Sequence, residues 1–151
     1  MKMWIELGLF LVIAFPITIV DIRDQRIPDP LSLGGIALFV AVKLIGKEQT
    51  LPMVAAEVLI GFGLFWLIWR FSGGQIGLGD AKYSALIAVA AGLPAWLAAL
   101  FVASTIGLLF ALVAIRGGRL HRRARIPFAP FLTCGAALAI PLSHFIPRLT
   151  A

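Results

Sequence analysis

Two aspartates lie at boundaries between apolar and polar sequence, where their side chains could perform acid–base chemistry together. Asp21 follows the first long apolar run and opens the stretch DIRDQRIPD at 21–29, and Asp80 ends GLGD at 77–80. Two neighbouring carboxylates cannot readily both ionise, because like charges in a poorly solvated site raise the pKa of one of them. Such a pair can activate water with its ionised member while the neutral member hydrogen-bonds to a carbonyl group, which is the chemistry of aspartic peptidases.

Three residues close to Asp80 are candidate supporting or substrate-binding residues. Gly77 and Gly79 have no Cβ, so they permit turn conformations and would allow a substrate backbone to approach closely. Lys82 could stabilise the Asp80 carboxylate or contact substrate, and it could equally anchor a helix end at the membrane boundary. These two interpretations of Lys82 stay open at the level of sequence.

Three other acidic residues have simpler interpretations. Asp29 precedes Pro30, a pattern that favours an N-cap followed by proline at the first helical position over catalysis, and Asp29 joins Lys82 as a candidate substrate-binding or site-supporting residue. Asp24 lies among basic and polar residues in a solvated loop, and it is the second choice for catalysis should Asp21 fail. Glu57 lies inside an apolar segment, where a polar packing contact is favoured over a proton-linked site.

Composition indicates that the protein resides in a membrane. Of its 151 residues, 61% are hydrophobic and 13% are charged, whereas soluble proteins have about 45–50% apolar and about 25% charged residues. The formal charge of +6 would suit nucleic acid binding, but five of the 13 basic residues lie within 116–125 between long apolar runs. That distribution is typical of a cytoplasmic membrane loop, so we expect contacts with lipids and no nucleic acid partner.

Metal chemistry is not indicated by the sequence. Cys134 is the only cysteine, and His121 and His144 lie far apart without an HExxH motif. We expect neither a metal nor an organic cofactor, because a carboxylate pair and water suffice for the chemistry above.

Apolar segments long enough to cross a bilayer set the expected fold. A hydrocarbon layer of about 30 Å requires about 20 helical residues. The uncharged run 83–115 has 33 residues and would be about 50 Å long as one helix, so we expect a break at 92–94, where glycine and proline occur. The sequence predicts an all-α polytopic membrane bundle of about six transmembrane helices in a single domain, 1–151. The six predicted spans are 4–20, 31–45, 51–69, 81–92, 95–115 and 126–146.

The distribution of basic residues predicts the orientation. With six spans, nine basic residues fall on the side that carries Asp21 and Asp80, and four fall on the opposite side. Positive residues stay in the cytoplasm, so we expect both aspartates at the cytoplasmic face and both termini in the periplasm.

Three motifs together resemble a known family. The stretch 21–29, the GLGDAK sequence at 77–82 and the IPFAPF sequence at 126–131 are similar to patterns in the prepilin and preflagellin peptidases, the GxGD aspartic proteases. The resemblance covers the whole chain and implies that Asp21 and Asp80 are the catalytic pair. It also implies an endopeptidase of the inner membrane that removes the leader of prepilin or pseudopilin precursors, in pilus biogenesis and protein secretion.

Two departures from the family pattern refine that expectation. Ala129 stands where the family commonly has glycine, and the chain has no paired CxxC motifs. The chain therefore resembles the short form found in tight-adherence (Flp) pilus systems, for which methyltransferase activity is not expected. An alternative from another class is a small proton-coupled carrier or channel, in which Asp80 and Glu57 relay protons. The oligomeric state is left open.

Overall fold

The computed structural model describes residues 2–72, 77–118 and 126–149. Within these ranges the chain is helical apart from turns and short connections, which confirms the all-α prediction. Six helices are present in the described residues: α1 (Lys2–Asp24), α2 (Asp29–Ile45), α3 (Leu51–Phe71), α4 (Leu78–Ala91), α5 (Leu93–Arg116) and α6 (Ala129–Leu149).

Glycine and proline set several helix ends. Gly92 has a φ of 80°, which ends α4, and α5 begins at the next residue. This confirms the break predicted within the long uncharged run. Pro52 and Pro94 lie in the first turns of α3 and α5, where a missing N–H removes no helical hydrogen bond. Gln25, with a φ of 51°, adopts the left-handed conformation directly after α1.

The last helix begins later than the sequence predicted. The predicted span starts at residue 126, whereas α6 starts at Ala129, and the three residues before it are irregular. Prolines in this motif explain the difference, since the residue before a proline disfavours helix. Arg116 ends α5, and the remainder of the predicted arginine-rich loop, 119–125, lies outside the described residues.

The short helix α4 lies at the centre of the bundle. It contacts α2, α3, α5 and α6, and apart from Lys82 its side chains between Ala81 and Ala90 are buried. Gly61 of α3 permits close packing, because a Cβ there would lie only 2.6 Å from the Cβ of Ala88. With 14 residues, α4 is about 21 Å long, too short to cross a hydrocarbon layer of about 30 Å unaided.

The outer surface of the bundle is apolar. Side chains such as Val12, Leu59 and Phe101 are 69–75% exposed, as expected where lipid rather than water surrounds the helices. In the described residues, α1, α3 and α5 are long and apolar enough to cross a membrane. Together with the apolar character of the other helices, this supports a multi-pass helical membrane bundle.

Candidate active site

Asp21 lies in the last turn of α1 and accepts hydrogen bonds from the start of α6. Its side chain is buried, and its Oδ2 accepts the N–H of Ala129 at 3.0 Å. A backbone hydrogen bond from Phe128 also reaches the carboxyl group. Helix N-termini carry unpaired N–H groups and a partial positive charge. Asp21 therefore takes the place of an N-cap side chain on α6, and the α6 N-terminus stabilises negative charge on Asp21.

This contact completes the first turn of α6. Pro130 has no N–H, and the N–H groups of Phe131 and Leu132 donate to the carbonyl oxygen of Phe128, each at 3.1 Å. The Ala129 N–H is thus the donor that needs a partner from outside the helix. The IPFAPF motif presents this donor, and because a backbone group makes the contact, alanine in place of the family's usual glycine can supply it.

Asp80 lies in the first turn of α4, before the apolar segment predicted to enter the membrane. Burial and, to a smaller extent, the nearby Asp21 carboxylate raise the pKa of its carboxyl group to about 6, although a backbone hydrogen bond at Gly77 acts in the opposite direction. The two aspartates predicted from sequence are therefore brought within electrostatic range of each other. Burial also raises the pKa of Asp21, but the backbone hydrogen bonds from Ala129 and Phe128 act in the opposite direction and favour its ionised form.

Lys82 does not pair with either of these carboxylates. Its Nζ donates to Oδ1 of Asp29 at 2.6 Å, in a partly exposed ion pair between α4 and α2. The predicted N-cap role of Asp29 is wrong by one residue: Pro28 occupies the N-cap position without a side-chain hydrogen bond, and Asp29 is the first residue of α2. The acidic group is nevertheless favourable there, because it faces the positive end of the helix dipole.

The two glycines before Asp80 have different surroundings. A Cβ on Gly79 would lie 2.9 Å from the Cβ of Ile27, so this glycine allows the loop after α1 to pack against the start of α4. Space at Gly79 is filled by the protein's own chain and not left for a substrate. Among the described residues, the nearest atoms to a Cβ on Gly77 would be Oδ2 of Asp80 and the N of Gly79, each at 3.8 Å. The room for a substrate backbone stays a prediction at Gly77.

A hydroxyl cluster lies one helical turn from the aspartates, and sequence reasoning missed it. Thr133 Oγ1 lies 2.8 Å from Thr18 Oγ1 and 2.6 Å from the Tyr83 hydroxyl, and it donates to the Ala129 carbonyl oxygen at 2.8 Å. The available signal was spacing. Thr18 precedes Asp21 by three residues and Tyr83 follows Asp80 by three, which places each pair on one helix face.

Aromatic rings hold the start of α6 against two other helices. The Phe128 ring centroid lies 6.2 Å from that of Phe65 in α3 and 6.4 Å from that of Phe131. Phe131 in turn lies 5.6 Å from Phe110 in α5. Aromatic contacts of this geometry are favourable, and they fix the segment that presents the Ala129 N–H to Asp21.

A second polar cluster lies at the opposite end of α4. Glu57 accepts hydrogen bonds from Lys43 Nζ and Gln49 Nε2, each at 2.9 Å, and the Lys43–Glu57 pair is buried. Gly92, which ends α4, lies beside it, since a Cβ there would be 3.7 Å from Oε1 of Glu57. This finding agrees with the predicted packing role of Glu57, whose charge is balanced by a lysine.

The described residues contain no group of three or more His, Cys, Asp or Glu side chains that could hold a metal ion.

Comparisons with known proteins identify the family. The model of the type IV leader peptidase family matches residues 8–112, which include Asp21 and Asp80. The chain is similar to three proteins described as "Prepilin leader peptidase/N-methyltransferase". The protein from Bacillus subtilis (strain 168) is 28% identical over 130 residues, covering 86% of this chain and 52% of the relative. That from Neisseria gonorrhoeae is 30% identical over 137 residues, covering 86% and 46%.

The third relative, from Pseudomonas putida, is 26% identical over 129 residues, covering 82% of this chain and 45% of the relative. The chain thus spans about half the length of the curated relatives it matches. No solved structure matches the chain significantly. The fold and the site together define a helical membrane protein with a pair of carboxylates at one end of the bundle. The family model covers most of this chain. The chain belongs to the type IV leader peptidase family.

Proposed function

We propose that this protein is a membrane-embedded aspartic endopeptidase that removes the leader of type IV prepilin-like precursors, with Asp21 and Asp80 as its catalytic pair. The observation that carries the proposal is that the fold brings two carboxylates from separate motifs of the family within electrostatic range of each other. In the described part of the chain, neither carboxylate forms an ion pair with a lysine or arginine. Two neighbouring acids without a basic partner are suited to share a proton.

The hydrogen bonds of the site suggest which aspartate is the general base and which is the general acid. Asp21, which accepts the Ala129 N–H, is the ionised base that removes a proton from water, and the resulting hydroxide attacks the scissile carbonyl carbon. Asp80 gives its proton to the carbonyl oxygen, which yields a neutral tetrahedral diol. Asp21 then donates its proton to the leaving amide nitrogen and Asp80 takes back the proton of a diol hydroxyl as the C–N bond breaks. The pair ends with its original protonation.

Both aspartates lie at the end of the bundle that we assign to the cytoplasm, with both termini in the periplasm. The end assigned to the cytoplasm carries nine basic residues against four at the other. A precursor with a glycine before the cut and an apolar helix after it would place that helix in the bilayer, and its basic leader would remain on the aqueous side. Lipids surround the apolar outer surface.

The carrier alternative is not favoured by the structure. A proton relay between Asp80 and Glu57 requires a second acid free to titrate. Glu57 lies at the far end of α4, where Lys43 and Gln49 hold its two oxygens.

The test is cleavage of a co-expressed prepilin in membranes by the native chain, Asp21→Ala and Asp80→Ala, with membrane abundance measured by immunoblot. We expect both variants to lose cleavage at normal abundance. Asp24→Ala is the matched control, because Asp24 is an exposed acid one turn from the site and should leave cleavage unchanged. Native cleavage by either active-site variant would remove that aspartate from the pair.

A further inference from the structure

We propose that Thr133 is a positioning residue that fixes the two catalytic aspartates relative to each other by joining α1, α4 and α6 one helical turn from the site. This inference rests on the proposed function above, which it deepens. Thr133 touches neither aspartate in the described contacts, so its effect is carried through the helices that it connects.

The first argument is the direction of the hydrogen bonds. A hydroxyl group donates one hydrogen bond and accepts two. Because Thr133 Oγ1 donates to the Ala129 carbonyl oxygen, the hydroxyls of Thr18 and Tyr83 must both donate to Thr133. All three capacities of the Thr133 hydroxyl are then used, each with a partner at 2.6–2.8 Å.

The second argument is position along each helix. Thr18 lies three residues before Asp21, Tyr83 lies three residues after Asp80, and Thr133 lies four residues after Ala129. Residues three or four apart lie on one face of a helix. The three hydroxyls therefore repeat, one turn deeper, the meeting of α1, α4 and α6 that brings together Asp21, Asp80 and the Ala129 N–H.

The third argument is burial. Tyr83 is completely buried, so its hydroxyl must find a partner within the protein. Rotation or sliding of α4 against α6 would break the Tyr83 hydrogen bond, and the same movement against α1 would break that of Thr18. A register that satisfies these hydroxyls is the register that places Asp80 beside Asp21.

The test compares Thr133→Val, which keeps the shape and removes the hydroxyl, with Thr133→Ser, which keeps the hydroxyl. We expect the kcat of Thr133→Val for prepilin cleavage to fall about 10- to 100-fold, since small displacements of catalytic groups have effects of this size. KM should stay within about threefold, because substrate binding is retained. Thr133→Ser should restore most of kcat, and Tyr83→Phe, which removes one of two donors, should have an intermediate effect.

Thr105→Val is the matched control. Thr105 Oγ1 donates to the Phe101 carbonyl oxygen at 2.8 Å on the exposed side of α5, so this substitution removes the same kind of bond far from the site. Native kcat in Thr133→Val at normal abundance, or equal losses in Thr133→Val and Thr133→Ser, would overturn the inference.

A readout without catalysis separates this inference from the proposed function. In a chain with Cys134→Ala, cysteines replacing Asp21 and Asp80 are joined with a short bifunctional thiol reagent. We expect Thr133→Val to lower the crosslinking yield severalfold and Thr133→Ser to restore it. If the native chain cleaves no prepilin, the proposed function fails and the crosslinking yield alone decides the role of Thr133. An unchanged yield in Thr133→Val would then overturn it.

Discussion

The two ends of α4 both hold acidic side chains in largely buried surroundings, but their charges are balanced differently. At one end, Glu57 is matched by Lys43 and a glutamine, so the cluster is electrically neutral. At the other end, Asp80 faces Asp21, and the neighbouring lysine is bonded elsewhere. A neutral buried pair holds helices together, whereas two acids within electrostatic range of each other do not readily both ionise. The imbalance marks the end of the bundle where chemistry is expected.

The largest expected difference between the two ends is in cleavage. Asp80→Asn should lower kcat about 1,000-fold, because the amide cannot supply the proton of a general acid. Glu57→Gln should leave kcat within about threefold per folded molecule, because that end takes no part in proton transfer. Cleavage rates normalised to folded protein measure both. Comparable losses in the two variants would mean that the charge balance does not distinguish the ends.

The same two variants should have opposite effects on stability. The pKa of Asp80 is raised from 3.8 to about 6 in the folded protein, so the folded state binds more protons than the unfolded state in this window and stability falls as pH rises through it. At pH 7 the ionised carboxyl costs on the order of 3 kcal/mol, which Asp80→Asn should recover. Glu57→Gln should destabilise by about 3 kcal/mol, because Lys43 is left buried without its partner.

Thermal unfolding in detergent at pH 7 would measure these shifts. At about pH 3, below the unfolded-state pKa of 3.8, the advantage of Asp80→Asn should disappear, since the native carboxyl is then mostly protonated in both states. Destabilisation by Asp80→Asn at pH 7 would contradict an unfavourable charge on a partly buried Asp80. A double change of Lys43 and Glu57 to apolar residues should restore most of the stability lost in Glu57→Gln.

The glycines of the GLGD motif offer a sharper test of the catalytic end. Gly79→Ala should reduce cleavage about tenfold or more, because the new Cβ collides with Ile27 and displaces Asp80 from Asp21. Gly77→Ala is the comparison of equal size: among the described residues its Cβ meets no atom nearer than 3.8 Å, so it should leave Asp80 in place and lower cleavage only where it obstructs the substrate. The rates of the two variants should therefore differ. Equal cleavage rates in the two variants would show that the loop after α1 shifts to accommodate the new Cβ without moving the aspartates.

The pH profile of cleavage should report the raised pKa of Asp80. With a pKa of about 6, the free enzyme loses the proton of its general acid above that pH, so kcat/KM should fall by up to about tenfold per pH unit on the alkaline side. Initial rates at low substrate concentration measure this limb. Asp29→Asn should leave the alkaline decrease of kcat/KM unchanged, because Asp29 forms its ion pair with Lys82 and not with the aspartate pair. A kcat/KM that is flat from pH 6 to about 9 would exclude Asp80 as the acid.

The smallest expected effect belongs to the partly exposed ion pair. A double-mutant cycle on Lys82 and Asp29 should give a coupling energy of at most about 1 kcal/mol, because solvent screens exposed pairs. The same cycle on the buried Lys43–Glu57 pair should give a clearly larger value. A coupling above about 2 kcal/mol at Lys82 would indicate that this pair is more enclosed than its exposure suggests.

Helix number and the residues of the candidate site could be predicted from the sequence, because the signals are local. Apolar run length gives spans, and Gly92 with Pro94 breaks the longest run. Acids at the ends of such runs are few, so Asp21 and Asp80 were evident candidates. The later start of α6 was missed because the apolar count included 126–128, where prolines prevent helix.

The partners of the site could not be predicted, because they depend on contacts between distant segments. A backbone N–H, such as that of Ala129, has no side-chain signature. Ile27 against Gly79 is a packing contact that spacing does not encode. Lys43 was counted as one of four basic residues on the outer side, yet it is buried against Glu57.

The hydrogen bond from Ala129 to Asp21 also bears on how a substrate complex can be captured for structural study. An inactive variant is normally chosen to trap an uncleaved precursor, and either aspartate offers one. Changing Asp21 would also leave the first N–H of α6 unpaired, so the trapped complex would differ from the working enzyme at the site itself. Asp80 caps no other helix in the described contacts. Asp80→Asn is therefore the better inactive variant for trapping an uncleaved precursor.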